Sequence, residues 1–187
     1  MNETIKYLTN VFKRTPKIGV VLGSGLNLFC DHLESKLVVK YKDIPNFRRT
    51  SIKGHKGEFV LGNLNNEDII CANGRFHYYE GYAYEKVAII IDVFKKLGCE
   101  MVIMTNASGS TVADWSVGDL MLINGHLDYS FIKSNNNPSL VKDKRYEKKL
   151  LQQVKNIAHD CDIKLREGVY AWTTGPNYET QSEIKDI

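Results

Sequence analysis

An α/β domain with a mixed central β-sheet flanked by helices is predicted by three observations. Short apolar runs such as "KIGVVLGSGL" (17–26) and "EMVIMTNASGS" (100–110) alternate with segments whose apolar residues recur at helical spacing. Both runs end in loops of glycine and small polar residues. Within "GEFVLGNLNNEDIICANG" (57–74), two strand-like halves are joined by Asn65-Asn66, a polar turn that gives the sheet antiparallel edges.

The elements follow in order. Residues 3–14 place Ile5, Leu8, Val11 and Phe12 on one helical face, and Thr15-Pro16 ends that helix because the residue before proline avoids the α region. "KIGVVLGSGL" is a buried strand running into a glycine-rich turn, and "LVVKYKDI" (37–44) is a further strand. From Tyr84 to Leu97 the pattern is helical, with Val87, Ile90, Ile91, Phe94 and Leu97 together and Gly98 where a left-handed cap is wanted. "EMVIMTNASGS" is a buried strand and "VGDLMLINGHLDY" (117–129) another. Ser130 to Val141 is a polar, mobile loop. Tyr146, Leu150, Val154 and Ile157 mark one more helix, and "EGVYAWTTGPNYET" (167–180) is a strand ending in a Gly-Pro turn. With no internal repeat or second boundary visible, 1–187 reads as one domain.

Composition excludes several classes. The chain has 43% apolar and 25% charged residues, the balance of an ordinary globular protein, and its net charge of +3 gives no concentrated field for polyanions. Nucleic acid is therefore not an expected partner. Cys30, Cys71, Cys99 and Cys161 form no CxxC pair, which argues against zinc and against a disulfide scaffold, and predicts reduced thiols in the cytoplasm. "MNETIKYLTN" is no secretory leader and no run approaches a membrane span.

Chemistry is expected in three loops that follow strands: "LGSGL" (22–26), "TNASGS" (105–110) and "TTGPNYET" (173–180). Ligands collect beyond the carboxyl ends of strands in open α/β sheets, with "GRFHYYEGY" (74–82) as a fourth wall. Gly23-Ser24-Gly25 is either an anion cradle or a plain tight turn; it is neither a dinucleotide nor a Walker motif. Arg75 and His77, two apart in extended chain, point to one side and are suited to gripping one anion, with Phe76 turned to the core. The bland alternative is a solvated arginine and a satisfied histidine. Tyr78, Tyr79 and Tyr82 either pack on a sugar or base or fill a loop. Glu179 either complements a helix dipole or accepts an N–H from a heterocycle.

Taken together, "VVLGSGL", "GHKGEFVLGNL", "GRFHYYEGY", "MTNASGS", "VGDLMLINGHLDY" and "TTGPNYET" resemble, in order and spacing, the trimeric purine nucleoside phosphorylases over most of residues 18–187. The resemblance implies attack of inorganic phosphate on C1′ of a purine nucleoside, releasing free base and ribose 1-phosphate. It assigns phosphate to Ser24, Arg75, His77, the Ala107 segment and His55. It puts Tyr79 and Tyr178 beside the ribose, and Ala107, Tyr178 and Glu179 at the base. Arg75, His77 and Glu179 are the expected catalytic residues. Neither metal nor cofactor is implied, since phosphate is a co-substrate. A cytoplasmic homotrimer acting in purine salvage is the expected form, and Glu179 favours inosine and guanosine because it accepts their N1–H.

The chain departs from the family in reading Ala107-Ser108-Gly109-Ser110 where alanine-alanine-glycine-glycine is usual, and in a shortened loop after "HLDY". Family members continue beyond the Gly-Pro-aromatic-Glu-Thr motif, so a C-terminally incomplete phosphorylase with an exposed sheet edge is expected. Three other readings compete: a methylthioadenosine phosphorylase, a ligand-binding protein without turnover, and a single-stranded RNA binder using the tyrosines and basic residues.

Overall fold

The computed structural model describes residues 1–48, 56–132, 139–141 and 146–187, the short stretch 139–141 by its backbone alone. Packing divides the chain into two compact units, Met1–Ser108 and Gly109–Ile187.

The first unit runs α1 (Asn2–Phe12), β1 (Ile18–Leu22), β2 (Glu34–Lys40), β3 (Glu58–Leu64), β4 (Glu67–Asn73), α2 (Tyr84–Val87), α3 (Ile89–Leu97) and β5 (Met101–Met104). Its five strands are ordered β2-β3-β4-β1-β5. β1 is parallel to β4 and β5, whereas β3 is antiparallel to β2 and β4, so the sheet is mixed, as predicted. Alternation along β3 sorts its side chains. Phe59 and Leu61 join Leu8, Phe12, Val93 and Phe94 in one buried cluster, while Val60 joins Cys30, Leu33 and Cys71 in another.

Several local expectations are met and several corrected. Asn65 and Asn66 both take positive φ, 51° and 65°, the pair of left-handed residues that lets a two-residue hairpin follow the strand twist. Gly98 caps α3 at φ 101°. In α1 the buried row is Thr4, Leu8 and Phe12, spaced by four, whereas Val11 is exposed. Thr4 is accommodated because its hydroxyl donates to Pro45 O at 2.8 Å. The predicted single helix over 84–97 breaks at Ala88, whose ψ of 0° closes α2 and restarts as α3. That shift moves burial from Val87 and Ile91 to Ile89, Ile90, Val93, Phe94 and Leu97. β2 ends at Lys40, and Tyr41–Asp43 is a 3-10 turn whose buried Tyr41 hydroxyl donates to Gly74 O at 2.8 Å. β5 is not buried: Val102, Ile103 and Met104 are 37%, 46% and 62% exposed. It is the edge strand, paired among the described residues with β1 alone, so an apolar run here does not mean two covered faces.

The second unit runs β6 (Leu120–Asp128), β7 (Ser139–Val141), α4 (Lys148–Asp160), β8 (Leu165–Trp172) and α5 (Gln181–Asp186). β6 lies between β7, antiparallel, and β8, parallel. β7 falls inside the stretch expected to be loop, because three residues suffice to pair with His126–Asp128. α4 forms where expected, yet Val154 and Ile157 stay exposed and Ala158 is its buried residue.

Candidate active site

Because β4, β1 and β5 are adjacent and parallel, their carboxyl ends lie on one edge of the first sheet. Three loops leave from that edge, carrying Ser24, Arg75 and Thr105. After β1, Leu26 N–H donates to Gly23 O at 3.2 Å and Gly25 takes φ 86°, which makes Gly23–Leu26 a tight turn. Ser24 sits exposed at its corner. A Cβ on Gly23 would lie 2.7 Å from both Asn106 Cα and Thr105 O, so the turn rests directly on the backbone that follows β5.

After β4, Phe76 enters the core at 2% exposure, between the rings of Tyr41, Phe47 and Tyr82. This anchor leaves half-buried Arg75 and His77 on the opposite side, as their spacing predicts. Arg75 Nε donates to His77 Nε2 at 3.2 Å, and Arg75 Nη1 donates to Thr105 O at 3.1 Å. An Nε2 that accepts places the ring proton on Nδ1, which faces Glu80 Oε1 at 3.4 Å. Glu80 is held firmly: its side chain is 4% exposed and its Oε1 accepts the His77 backbone N–H at 2.7 Å. The two residues form a capping box around the 3-10 turn Tyr78–Glu80. Glu80 is not among the expected site residues, because a histidine is not the Ser or Thr that marks such a box in a sequence.

Tyr79 stacks on His77 with ring centroids 4.9 Å apart and keeps 44% exposure, an aromatic face open to a ligand. Tyr78 is half-buried, and Tyr82 packs edge-on to Phe76 with the Arg48 guanidinium 5.2 Å from its ring. Asn106 is half-buried and Ala107 exposed, immediately after Thr105. His55 lies outside the described residues.

In the second unit, β8 leads through Thr173 and the cis Gly175-Pro176 peptide to Tyr178, which is 98% exposed. Glu179 is half-buried and accepts the Thr173 hydroxyl at 2.7 Å through Oε1. It does not cap α5: Thr180 and Glu183 form that capping box. Its carboxylate is oriented from its own loop through Oε1. Among the described residues, no group of three or more His, Cys, Asp or Glu side chains is placed to hold a metal ion, and no helix is long and apolar enough to cross a membrane.

Comparison with known proteins identifies the family. The model of the phosphorylase superfamily matches residues 17–187. Purine nucleoside phosphorylase 1 of Geobacillus stearothermophilus is 38% identical over 195 residues, covering 100% of this chain and 71% of that protein. Purine nucleoside phosphorylase 1 of Bacillus subtilis (strain 168) is 39% identical over 179 residues, covering 91% of this chain and 66% of that protein. Isoform 2 of purine nucleoside phosphorylase from Schistosoma mansoni, solved with cytosine and ribose-1-phosphate, matches at a TM-score of 0.85 with 34% identity, over 99% of this chain and 70% of that one. This chain thus belongs to the phosphorylase superfamily, among its purine nucleoside phosphorylases.

Proposed function

We propose that this chain catalyses phosphorolysis of purine nucleosides. A phosphate oxygen bonds to C1′ as the C1′–N9 bond breaks, giving ribose 1-phosphate and a purine that takes the bonding electrons and the proton the phosphate gives up. One observation carries the reading: the exposed Ser24 turn, Arg75 and His77 leave neighbouring parallel strands on one edge and are tied together through Thr105. Phosphate arriving there would replace His77 as acceptor of the Arg75 Nε–H and meet the Ser24 hydroxyl. A phosphate so held is both the nucleophile and the anion that stabilises positive charge developing on the sugar. His55 and the Ala107 backbone complete this half in the proposal.

Tyr79 and Tyr178 are proposed to flank the ribose. Ala107, Tyr178 and Glu179 are proposed to hold the base, with Glu179 accepting the N1–H that inosine and guanosine carry. No cofactor enters the scheme, and phosphate is the co-substrate. The same reading makes the protein a homotrimer of the cytoplasm that serves purine salvage, in keeping with four cysteines that are all free thiols.

The deciding experiment follows hypoxanthine release from inosine with and without phosphate, with adenosine and methylthioadenosine alongside. Phosphate-dependent release from inosine is expected. Release from methylthioadenosine alone would replace the substrate assignment, and absence of release by a folded, phosphate-binding chain would overturn the activity.

A further inference from the structure

We infer that Thr105, which would not touch substrate, is the positioning residue that sets Ser24 against Arg75 in the phosphate half of the site. The inference rests on the phosphate assignment just proposed. Pairing between β1 and β5 ends at Val21 opposite Met104, one residue short of Thr105. Beyond that point the regular ladder gives way to loops that stay in contact, and the Thr105 side chain joins them. Its hydroxyl accepts the Gly23 N–H at 2.8 Å and donates to Val21 O at 3.0 Å. Both directions are fixed, because an amide can only donate and a carbonyl can only accept. The Thr105 backbone adds two bonds: its N–H donates to Val21 O at 3.1 Å, and its carbonyl accepts Arg75 Nη1 at 3.1 Å.

One residue thus holds the first amide of the serine turn by its side chain and the arginine by its main chain. The missing Cβ of Gly23 allows that approach and leaves no slack in it, with Thr105 O and Asn106 Cα both 2.7 Å from where a Cβ would stand. Losing the hydroxyl would leave the Gly23 amide without its acceptor and free the turn to drift from Arg75. The carbonyl clamp on Arg75 would remain. A defect confined to phosphate follows, rather than general loss of structure.

The test titrates inorganic phosphate calorimetrically into the wild-type chain, Thr105→Val and Thr105→Ser, and measures KM for phosphate and for inosine separately. Valine keeps the shape and loses both hydroxyl bonds; serine keeps the bonds. Thr105→Val should bind phosphate about tenfold more weakly, the ~1.4 kcal/mol of one hydrogen bond, with inosine KM unchanged and Thr105→Ser close to wild type. Thr105→Ala takes the place of the valine variant should that not fold. Wild-type phosphate affinity in the hydroxyl-free variant would overturn the inference, as would a serine variant as weak as valine, or equal losses for phosphate and inosine. A wild-type chain that binds no phosphate would instead overturn the phosphate assignment itself, and the inference with it.

Discussion

The two units of this chain are built differently. Among the described residues, every buried hydrophobic side chain lies in Met1–Ser108 except Ala158. That first unit buries two apolar clusters against the inner strands of its sheet, with Phe59, Phe94, Tyr41 and Phe47 in ring contact in one of them. The second unit leaves Leu120, Val154, Ile157 and Val169 exposed, and joins its elements through Arg166–Asp119 and Lys155–Glu167 ion pairs at 3.0 Å and 2.6 Å. Surface pairs of this kind contribute ~0–1 kcal/mol each, against ~1.5–3 kcal/mol for one fully buried large side chain. The residues proposed to hold the small, highly charged substrate therefore stand on the rigid unit. Of those proposed for the base, Tyr178 and Glu179 stand on the softer one, and Ala107 on the first. A phosphate needs fixed donors, whereas an aromatic face and a single carboxylate tolerate more adjustment.

Truncating a core ring tests the comparison most severely. Phe59→Ala should cost ~3–5 kcal/mol in urea unfolding followed by far-UV circular dichroism, while Ile157→Ala, at a residue 60% exposed, should cost under ~0.5 kcal/mol. An equal loss at Ile157 would mean that this face is covered in solution, and the contrast between the units would fail. At the site, Arg75→Ala should lower phosphate-dependent turnover by ~10²–10³ and raise phosphate KM. Glu179→Gln should act on nucleoside KM instead, by roughly tenfold, because it touches one hydrogen bond to the base. Matching defects in both variants would erase the division of labour.

Gly23→Ala gives a subtler break. The new methyl meets backbone rather than a flexible side-chain end, so Thr105 and Asn106 must move. Overpacking of this kind costs ~1–3 kcal/mol, and here it should appear mainly as weaker phosphate binding, read by calorimetry beside a melting curve. Unchanged phosphate affinity would show that the turn tolerates displacement and that Ser24 is not closely placed.

What was legible in the sequence is what local physics decides. Asn65-Asn66 announced a hairpin, Gly98 a left-handed cap, and the Arg-Phe-His order a strand end with its apolar residue inward. What escaped depends on distant partners. The apolar run of β5 looked like a buried strand because its composition does not reveal which strand will be the edge. The break at Ala88 was hidden because apolar residues continue on both sides of it, so the period shifts without an interruption. The pairing of Ser139–Val141 with β6 requires a register that no local signal supplies. Thr105 was noted only as part of a small-residue loop, since its role comes from Val21, Gly23 and Arg75, which are at least 30 positions away.

The smallest expected effects concern pH, where the second unit should add an acid limb to an alkaline limb that both units share. In the first unit burial pushes the Cys99 thiol up to about 11 and the Tyr41 phenol above its ordinary range. Their neutral forms are favoured by folding, so the stability they contribute is whole below an unfolded thiol's ~8.5 and is lost as pH rises through the folded value. Cys99→Ala should flatten the early part of that alkaline limb. In the second unit the Ser116 amide and Arg166 hold Asp119 below the usual carboxylate range, and Lys155 with Asn124 does the same for Glu167. These carboxylates contribute above their unfolded values near ~4 and lose that contribution as pH falls. Tyr129, raised by its bond to Asp186, adds to this unit an alkaline limb of the same sign as that of Cys99. Both tryptophans, Trp115 and Trp172, belong to the second unit, so their fluorescence follows it selectively. Asp119→Asn should blunt the acid limb of the tryptophan signal and leave the Cys99-dependent limb intact. An acid limb unchanged by that substitution would mean that the Arg166 pair contributes nothing measurable to the second unit.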